Sequence, residues 1–144
     1  MKIPAQHRRV RTDRTIVATD SLGGASKFIL HNPQQYEVEE LRPETFIPAA
    51  PGVHRCDYVF SVSAVQQELY VELKGNRLTD ALKQLESTLA LLRLPLPIKS
   101  CFVVLNRSPS NSPEVQQQRI RFEKRTSCKL TVRSRQFEYY LAYL

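Results

Sequence analysis

The sequence is poor in several residue types that would point to a cofactor or a crosslinked fold. It contains no tryptophan, one methionine, four glycines and three cysteines in 144 residues. Cys56, Cys101 and Cys128 are odd in number, lie far apart and show no Cys-x-x-Cys spacing. This usage predicts reduced, buried thiols and argues against a zinc site or a disulfide framework. The three histidines are equally scattered, so no His–Cys cluster indicates a metal site.

Long apolar runs are also missing. No segment approaches the roughly 18 apolar residues that a membrane span requires, and the first residues lack the apolar core of a signal peptide. Apolar residues nevertheless make up 42% of the chain, which is typical of a globular protein. We therefore expect a cytoplasmic protein with no membrane partner and one domain over residues 1–144, large enough to bury a core.

Acidic residues are scarce except in the middle of the chain. The net charge is +7 overall, with +4 in residues 1–35, −4 in residues 36–75 and +7 in residues 76–144. An acidic centre between basic flanks fits a metal site beside a phosphate-binding surface; the alternative is a solvated basic surface. Residues 1–15 are basic and lack apolar periodicity, so they predict a flexible or loosely attached arm.

The most distinctive stretch covers residues 69–75. Its residues alternate between aliphatic and polar, which predicts a β-strand with Glu72 and Lys74 on one face. Gly75 ends the pattern. A carboxylate and an ammonium on a strand otherwise suited to burial are costly to desolvate. A divalent metal with a phosphate is one arrangement that would offset this cost.

A second strand is predicted over residues 55–60, and it contains Asp57. The segment between the two strands is long enough for a turn, so they can pair as an antiparallel hairpin. In one register Asp57 lies beside Glu72 and Lys74. Two carboxylates and a lysine would then meet at one point on the sheet, within reach of one metal ion and at an open surface.

The clearest helix is predicted from Asn76 to about Arg93, because leucine and alanine recur there at spacings of three and four residues. Asn76 or Thr79 can cap it. Gln84 lies at the boundary of the apolar stripe, where it would either support a site or be an ordinary boundary residue.

The remaining pattern predicts strands at residues 27–31, 36–41, 99–106 and 128–133, and a helix at residues 112–125 that Ser112 caps. Residues 137–144 fit a helix or a strand, and we favour a helix. After residue 55 the order is therefore strand, strand, helix, strand, helix, strand. It predicts an α/β fold with a mixed central sheet flanked by helices.

Asp57, then Glu72-Leu73-Lys74, then an amphipathic helix resembles the pattern of the PD-(D/E)XK nuclease superfamily, which includes restriction endonucleases and Holliday junction resolvases. The resemblance covers residues 55 to about 92. It departs from the superfamily in having Cys56 where a proline is usual, and in lacking a clear helix before Asp57.

The resemblance implies a restriction endonuclease-like core and a metal-dependent phosphodiesterase acting on DNA, or less readily on RNA. In that role Asp57 and Glu72 would bind Mg²⁺ or Mn²⁺, Lys74 would orient the attacking water or neutralise developing charge, and Gln84 would support the site. The alternatives are an inactive nuclease-like domain that binds nucleic acid or a partner protein, and a purely structural Glu72–Lys74 pair.

The basic flanks supply the candidates for nucleic-acid contact. They are Arg77, Arg119, Arg121 and Lys124, together with Arg8, Arg9 and Arg11 of the predicted arm. Contacts to phosphates would not depend on base sequence and would weaken with salt. Because one small domain offers little surface to a duplex, a homodimer would also suit this function.

Overall fold

A computed structural model describes residues 1–20, 24–73, 77–106 and 112–141. Nine strands and two α-helices make up the regular structure of these residues, with three short 3-10 helices between them. The strands are β1 (Arg9–Arg11), β2 (Thr15–Thr19), β3 (Lys27–His31), β4 (Val38–Leu41), β5 (Tyr58–Val62), β6 (Gln67–Leu73), β7 (Ile98–Leu105), β8 (Lys129–Ser134) and β9 (Gln136–Tyr140); the helices are α1 (Leu78–Leu92) and α2 (Pro113–Thr126).

The strands form two sheets. The larger has the order β1-β4-β5-β6-β7-β8, antiparallel from β1 to β6 and parallel from β6 to β8. The smaller has the order β2-β3-β9, with β2 antiparallel and β9 parallel to β3. Helices α1 and α2 make the crossovers β6–α1–β7 and β7–α2–β8, which parallel neighbours require.

Both faces of the larger sheet are covered, so the domain has three layers. One core packs α1 and α2 against Tyr70, Val103 and Val132. The other core lies between the two sheets and includes Phe28, Phe60, Leu69 and Phe102. All seven residues of β6 are buried as a result, because the strand is covered on both faces.

Most predicted elements are confirmed. Strands β5 and β6 pair as the expected antiparallel hairpin, with Tyr58 opposite Val71. Helix α2 begins as predicted, because the Ser112 hydroxyl accepts a hydrogen bond from Val115 N at 3.2 Å. Helix α1 differs in its cap. Arg77 occupies the N-cap without a side-chain hydrogen bond and Thr79 is already helical, while Asn76 lies outside the described residues.

Two predictions are wrong. Residues 1–15 are not a loose arm, because β1 pairs with β4, Arg8 forms an ion pair with Glu39, and Ile3 is buried in the core. In the segment predicted as a terminal helix, residues 137–140 instead belong to β9, which pairs with β3, while residues 142–144 lie outside the described residues. Its residues fit both periods equally well, and a free edge on β3 decided between them. The smaller sheet as a whole was not predicted.

Neither α1 nor α2 is long and apolar enough to cross a membrane, and no other described helix is. Cys56, Cys101 and Cys128 are free thiols and all three are buried, as the sequence predicts.

Candidate metal site at the end of strands β5 and β6

The candidate site lies at one end of the larger sheet, where its parallel strands terminate; we refer to this end as the site edge. Strands β6, β7 and β8 run in parallel and end at this edge, and the antiparallel strand β5 begins there. Helices α1 and α2 also start on this side, because each follows a strand that ends there. Ligand sites in open α/β sheets commonly occupy this position, since strand ends and helix N-termini leave polar backbone groups available.

Asp57 and Glu72 are neighbours at this edge. Asp57 N lies 3.1 Å from Glu72 Oε1 and also 3.1 Å from Val71 O, so one N–H is shared between two acceptors. The Asp57 carboxylate in turn accepts a hydrogen bond from Leu73 N at 2.7 Å. Its side chain therefore takes the place of a backbone carbonyl at the end of β6. The predicted adjacency of Asp57 and Glu72 is confirmed.

The two carboxylates differ in exposure. Asp57 is half-buried, whereas Glu72 is only 1% exposed. The prediction that both would stand at an open surface is therefore wrong for Glu72. Tyr70 and Glu72 share a strand face, and α1 covers that face because the apolar stripe of the helix must be buried.

The negative charges of the site act on the neighbouring thiol of Cys56. Burial raises the pKa of the Cys56 thiol well above its ordinary value, and the negative charges of Glu72 and Asp57 raise it further. Both carboxylates are thus close enough to act on one buried group. A cation bound between them would oppose this effect.

The donor set fits magnesium or manganese. Carboxylate oxygens are hard ligands, and Mg²⁺ is commonly bound by one or two carboxylates while waters and substrate phosphates complete its shell. Within the part of the chain that the structure describes, no group of three or more His, Cys, Asp and Glu side chains could hold a metal. A metal held by Asp57 and Glu72 would therefore have no third His, Cys, Asp or Glu ligand from that part.

Helix α1 fixes the segment that leads into Asp57. Gln84 Oε1 accepts a hydrogen bond from Arg55 N at 2.6 Å, and the next backbone N–H, that of Cys56, donates to Thr88 Oγ1 at 2.8 Å. Ser87 Oγ accepts from His54 N at 3.2 Å. We call this set of contacts the α1 clamp. Through it, Gln84 holds the backbone of Arg55, two residues before Asp57, and so helps to position Asp57.

Ser87 and Thr88 are the positioning residues that the sequence alone did not reveal. The available signal was the spacing of Gln84, Ser87 and Thr88, which places three polar side chains on one side of a helix at three- and four-residue intervals. Since the hydrogen bonds go to backbone N–H groups, the sequence could not identify their partners.

The other predicted residues that the structure describes are not gathered around the two carboxylates. Lys74 lies outside the described residues. Arg77 is at the same edge, strongly exposed, and 3.8 Å from Asp80. Arg119 forms an ion pair with Glu123 at 3.0 Å, partway along α2.

Arg121 and Lys124 are exposed and lie further along α2. This helix runs antiparallel to the strands, away from the site edge, so Lys124 lies near the opposite edge of the sheet. Arg121 lines a groove between α1 and α2, together with Lys83 and Arg125. The structure thus divides the predicted cations among separate surfaces.

Comparison of the chain with family models, with curated proteins and with solved structures finds no match.

Proposed function

We propose that this protein is a metal-dependent phosphodiesterase that cleaves nucleic acid, DNA in preference to RNA. One observation carries the proposal: Asp57 and Glu72 are adjacent at the ends of two antiparallel strands, directly before the β6–α1–β7 crossover. The resemblance to the PD-(D/E)XK superfamily assigns its two metal-binding carboxylates to this arrangement. A restriction endonuclease-like core, formed by β4, β5, β6, α1 and β7, belongs to the same proposal.

The chain's own residues would act in three ways. Asp57 and Glu72 would hold the metal, whose chemistry is to favour hydroxide formation and to stabilise negative charge on the phosphate. Lys74 would orient the attacking water or neutralise charge that develops on the phosphate. The α1 clamp would keep Asp57 in place, because Gln84 and Thr88 hold the two backbone N–H groups that precede it.

The second candidate function is a nuclease-like domain that binds nucleic acid without cutting it. The near-complete burial of Glu72, which is 1% exposed, favours this alternative. A metal could reach that carboxylate only from the side of Asp57 or after a local rearrangement. Cleavage assays separate the two candidates directly.

The decisive experiment follows cleavage of labelled duplex DNA and RNA with Mg²⁺, with Mn²⁺ and with EDTA. We expect wild-type cleavage that needs the metal, and loss of at least about 100-fold in Asp57→Asn and in Lys74→Ala. Asp13→Asn is the matched control, since Asp13 is an exposed carboxylate whose partner is Arg11. It should cleave like the wild type.

Three results would count against the proposal. Wild-type cleavage by Lys74→Ala would remove the catalytic role from this site. Metal-independent binding of DNA by a wild-type protein that never cleaves would instead support the second candidate. If both Glu72→Ala and Lys74→Ala only destabilise the chain, by similar amounts, the two residues form a structural pair.

A further inference from the structure

A row of arginines marks the same edge of the larger sheet as Asp57 and Glu72. Arg42 follows β4 and Arg55 precedes β5, while Arg133 lies near the end of β8 and Arg135 follows it. Because β4 and β8 end at this edge and β5 begins there, the four residues flank the two carboxylates from both sides. We call them the strand-end arginines.

The strand-end arginines differ from the ion-paired cations of the chain, although other described cations, Arg121 and Lys124 among them, also form no ion pair with a described carboxylate. Arg8, Arg11, Arg77, Arg119 and Arg125 each form an ion pair with a carboxylate. By contrast, within residues 1–20, 24–73, 77–106 and 112–141 no carboxylate lies within ion-pair distance of a strand-end arginine. Their positive charge is therefore not neutralised by the described part of the protein.

Three of the four side chains are nevertheless held in place. The Arg42 guanidinium lies over the Tyr58 ring, 4.8 Å from its centroid, and the Arg133 guanidinium lies over Phe137 at 5.4 Å. Arg55 Nη1 donates to Ile47 O at 2.8 Å. An aromatic ring does not neutralise the guanidinium charge, but it restricts the orientation of the side chain. Less conformational entropy is therefore lost when the side chain binds a phosphate.

The backbone at the β8 end of the row is fixed as well. Arg135 N donates to Leu105 O at 2.7 Å, and Arg135 O accepts from Lys27 N at 2.9 Å. This residue has a φ of 69° and joins the ends of β7 and β3, one from each sheet. Arg133 and Arg135 thus project from an anchored turn and not from a mobile loop.

From these observations we infer that the strand-end arginines are the phosphate-binding surface for the nucleic acid, and that Arg121 and Lys124 on α2 are not. The row runs from β4 to β8 across four strand spacings, about 19 Å at roughly 4.8 Å each. One DNA strand rises about 3.4 Å per phosphate, so this span covers roughly five or six phosphates with Asp57 and Glu72 between its ends. The inference deepens the proposed function and rests on it for the identity of the polyanion.

The test measures binding of a fluorescent 20-base-pair DNA duplex of mixed sequence by anisotropy, in EDTA, over a series of salt concentrations. The double variant Arg42→Gln/Arg133→Gln should bind at least about tenfold more weakly at low salt, with the slope of log K against log salt reduced by about 1.8. The control variant Arg121→Gln/Lys124→Gln also removes two positive charges, but at exposed sites on α2. It should stay within about twofold of the wild type.

A third variant separates charge from packing. Arg42→Lys/Arg133→Lys keeps both charges while weakening the contacts over Tyr58 and Phe137, and it should retain most of the affinity. Equal losses in the two glutamine variants would overturn the inference, because only net charge would then matter. A larger loss in the α2 variant, or a wild type that does not bind DNA at low salt, would overturn it too.

The binding test is independent of the cleavage test. A protein that binds through Arg42 and Arg133 but never cleaves would contradict the proposed function and leave the surface standing. A protein that cleaves with normal metal dependence, yet binds equally well without these arginines, would contradict the surface alone.

Discussion

Strand β6 carries two buried glutamates on the same face, and the regions around them differ in kind. Glu68, fully buried near the start of the strand, accepts hydrogen bonds from the Tyr70 hydroxyl, from Leu96 N and from the Lys99 ammonium, at 2.9, 2.6 and 2.5 Å. Lys99 also donates to Leu94 O and Leu96 O. Glu72, four residues further along at the other end of the strand, accepts a hydrogen bond from Asp57 N at 3.1 Å.

The difference shows that a buried carboxylate can have either a structural role or a chemical one. At Glu68 a lysine and two neutral donors compensate the desolvated carboxylate, and the result ties the loop after α1 to the sheet. At Glu72 the described contact is with the backbone of a second acidic residue, Asp57, and the proposed function would add a metal ion there. One strand thus holds a carboxylate whose charge a lysine compensates and a carboxylate to which we assign a metal.

The largest effect on stability should come from Glu68→Ala. It leaves the Lys99 ammonium without its carboxylate and deprives Leu96 N and the Tyr70 hydroxyl of their acceptor, which should lower the free energy of unfolding by about 4 kcal/mol. Glu72→Ala should lower it by less than Glu68→Ala does in the absence of metal, because Asp57 N keeps Val71 O as an acceptor. Urea denaturation of both variants in EDTA makes the comparison.

Equal losses of stability in the two glutamate variants would erase the distinction between the ends of β6. Glu68→Gln offers a milder control, since it keeps an acceptor for Leu96 N while removing the charge. It should fall between the wild type and Glu68→Ala.

An intermediate effect is expected from the α1 clamp. Thr88 is fully buried, and Thr88→Val would leave Cys56 N without its acceptor at a cost of about 2 kcal/mol in the free energy of unfolding. It should also slow cleavage, because Asp57 follows directly. Thr79→Val makes the same change at an exposed site of the same helix and should cost less than about 0.5 kcal/mol. A Thr88→Val protein as stable as this control would show that the clamp contributes nothing.

The smallest effect concerns the metal. Mg²⁺ at about ten times its dissociation constant should stabilise the folded chain by about 1.4 kcal/mol, which is a rise of roughly 4 °C in Tm. Asp57→Asn should lose this rise, whereas Glu68→Gln should keep it at a lower starting Tm. Differential scanning fluorimetry with and without EDTA measures both. An undiminished rise in Asp57→Asn would move the metal away from the ends of β5 and β6.

The sequence predicted those elements whose local pattern admits one interpretation. The stripe of leucines in α1, the Ser112 cap of α2 and the alternation in β6 each specify an element through short-range geometry. The local pattern of the terminal segment admits two interpretations, since its aromatic residues fit the two-residue period of a strand and the 3.6-residue period of a helix alike. Only pairing with β3 made it a strand.

The candidate site was predictable to the extent that it is local in sequence. Asp57 and Glu72 could be paired because a hairpin fixes the register of neighbouring strands. The burial of Glu72 was not predictable, because α1 covers it after a crossover. The strand-end arginines were missed for a similar reason, since Arg42 and Arg133 are 91 residues apart in the chain and share an edge only in the assembled sheet.

By itself the sequence determined the α/β class, the β5–β6 hairpin and the adjacency of two carboxylates, because hydrophobic period and hairpin register act over short distances along the chain. The three layers, the second sheet, the anchoring of β1, the α1 clamp and the arginine row depended on tertiary structure. They arise from strands and helices that are remote in sequence, whose positions follow from burying both faces of one sheet. Chain periodicity sets which face of an element is apolar, but only packing decides which other element covers it.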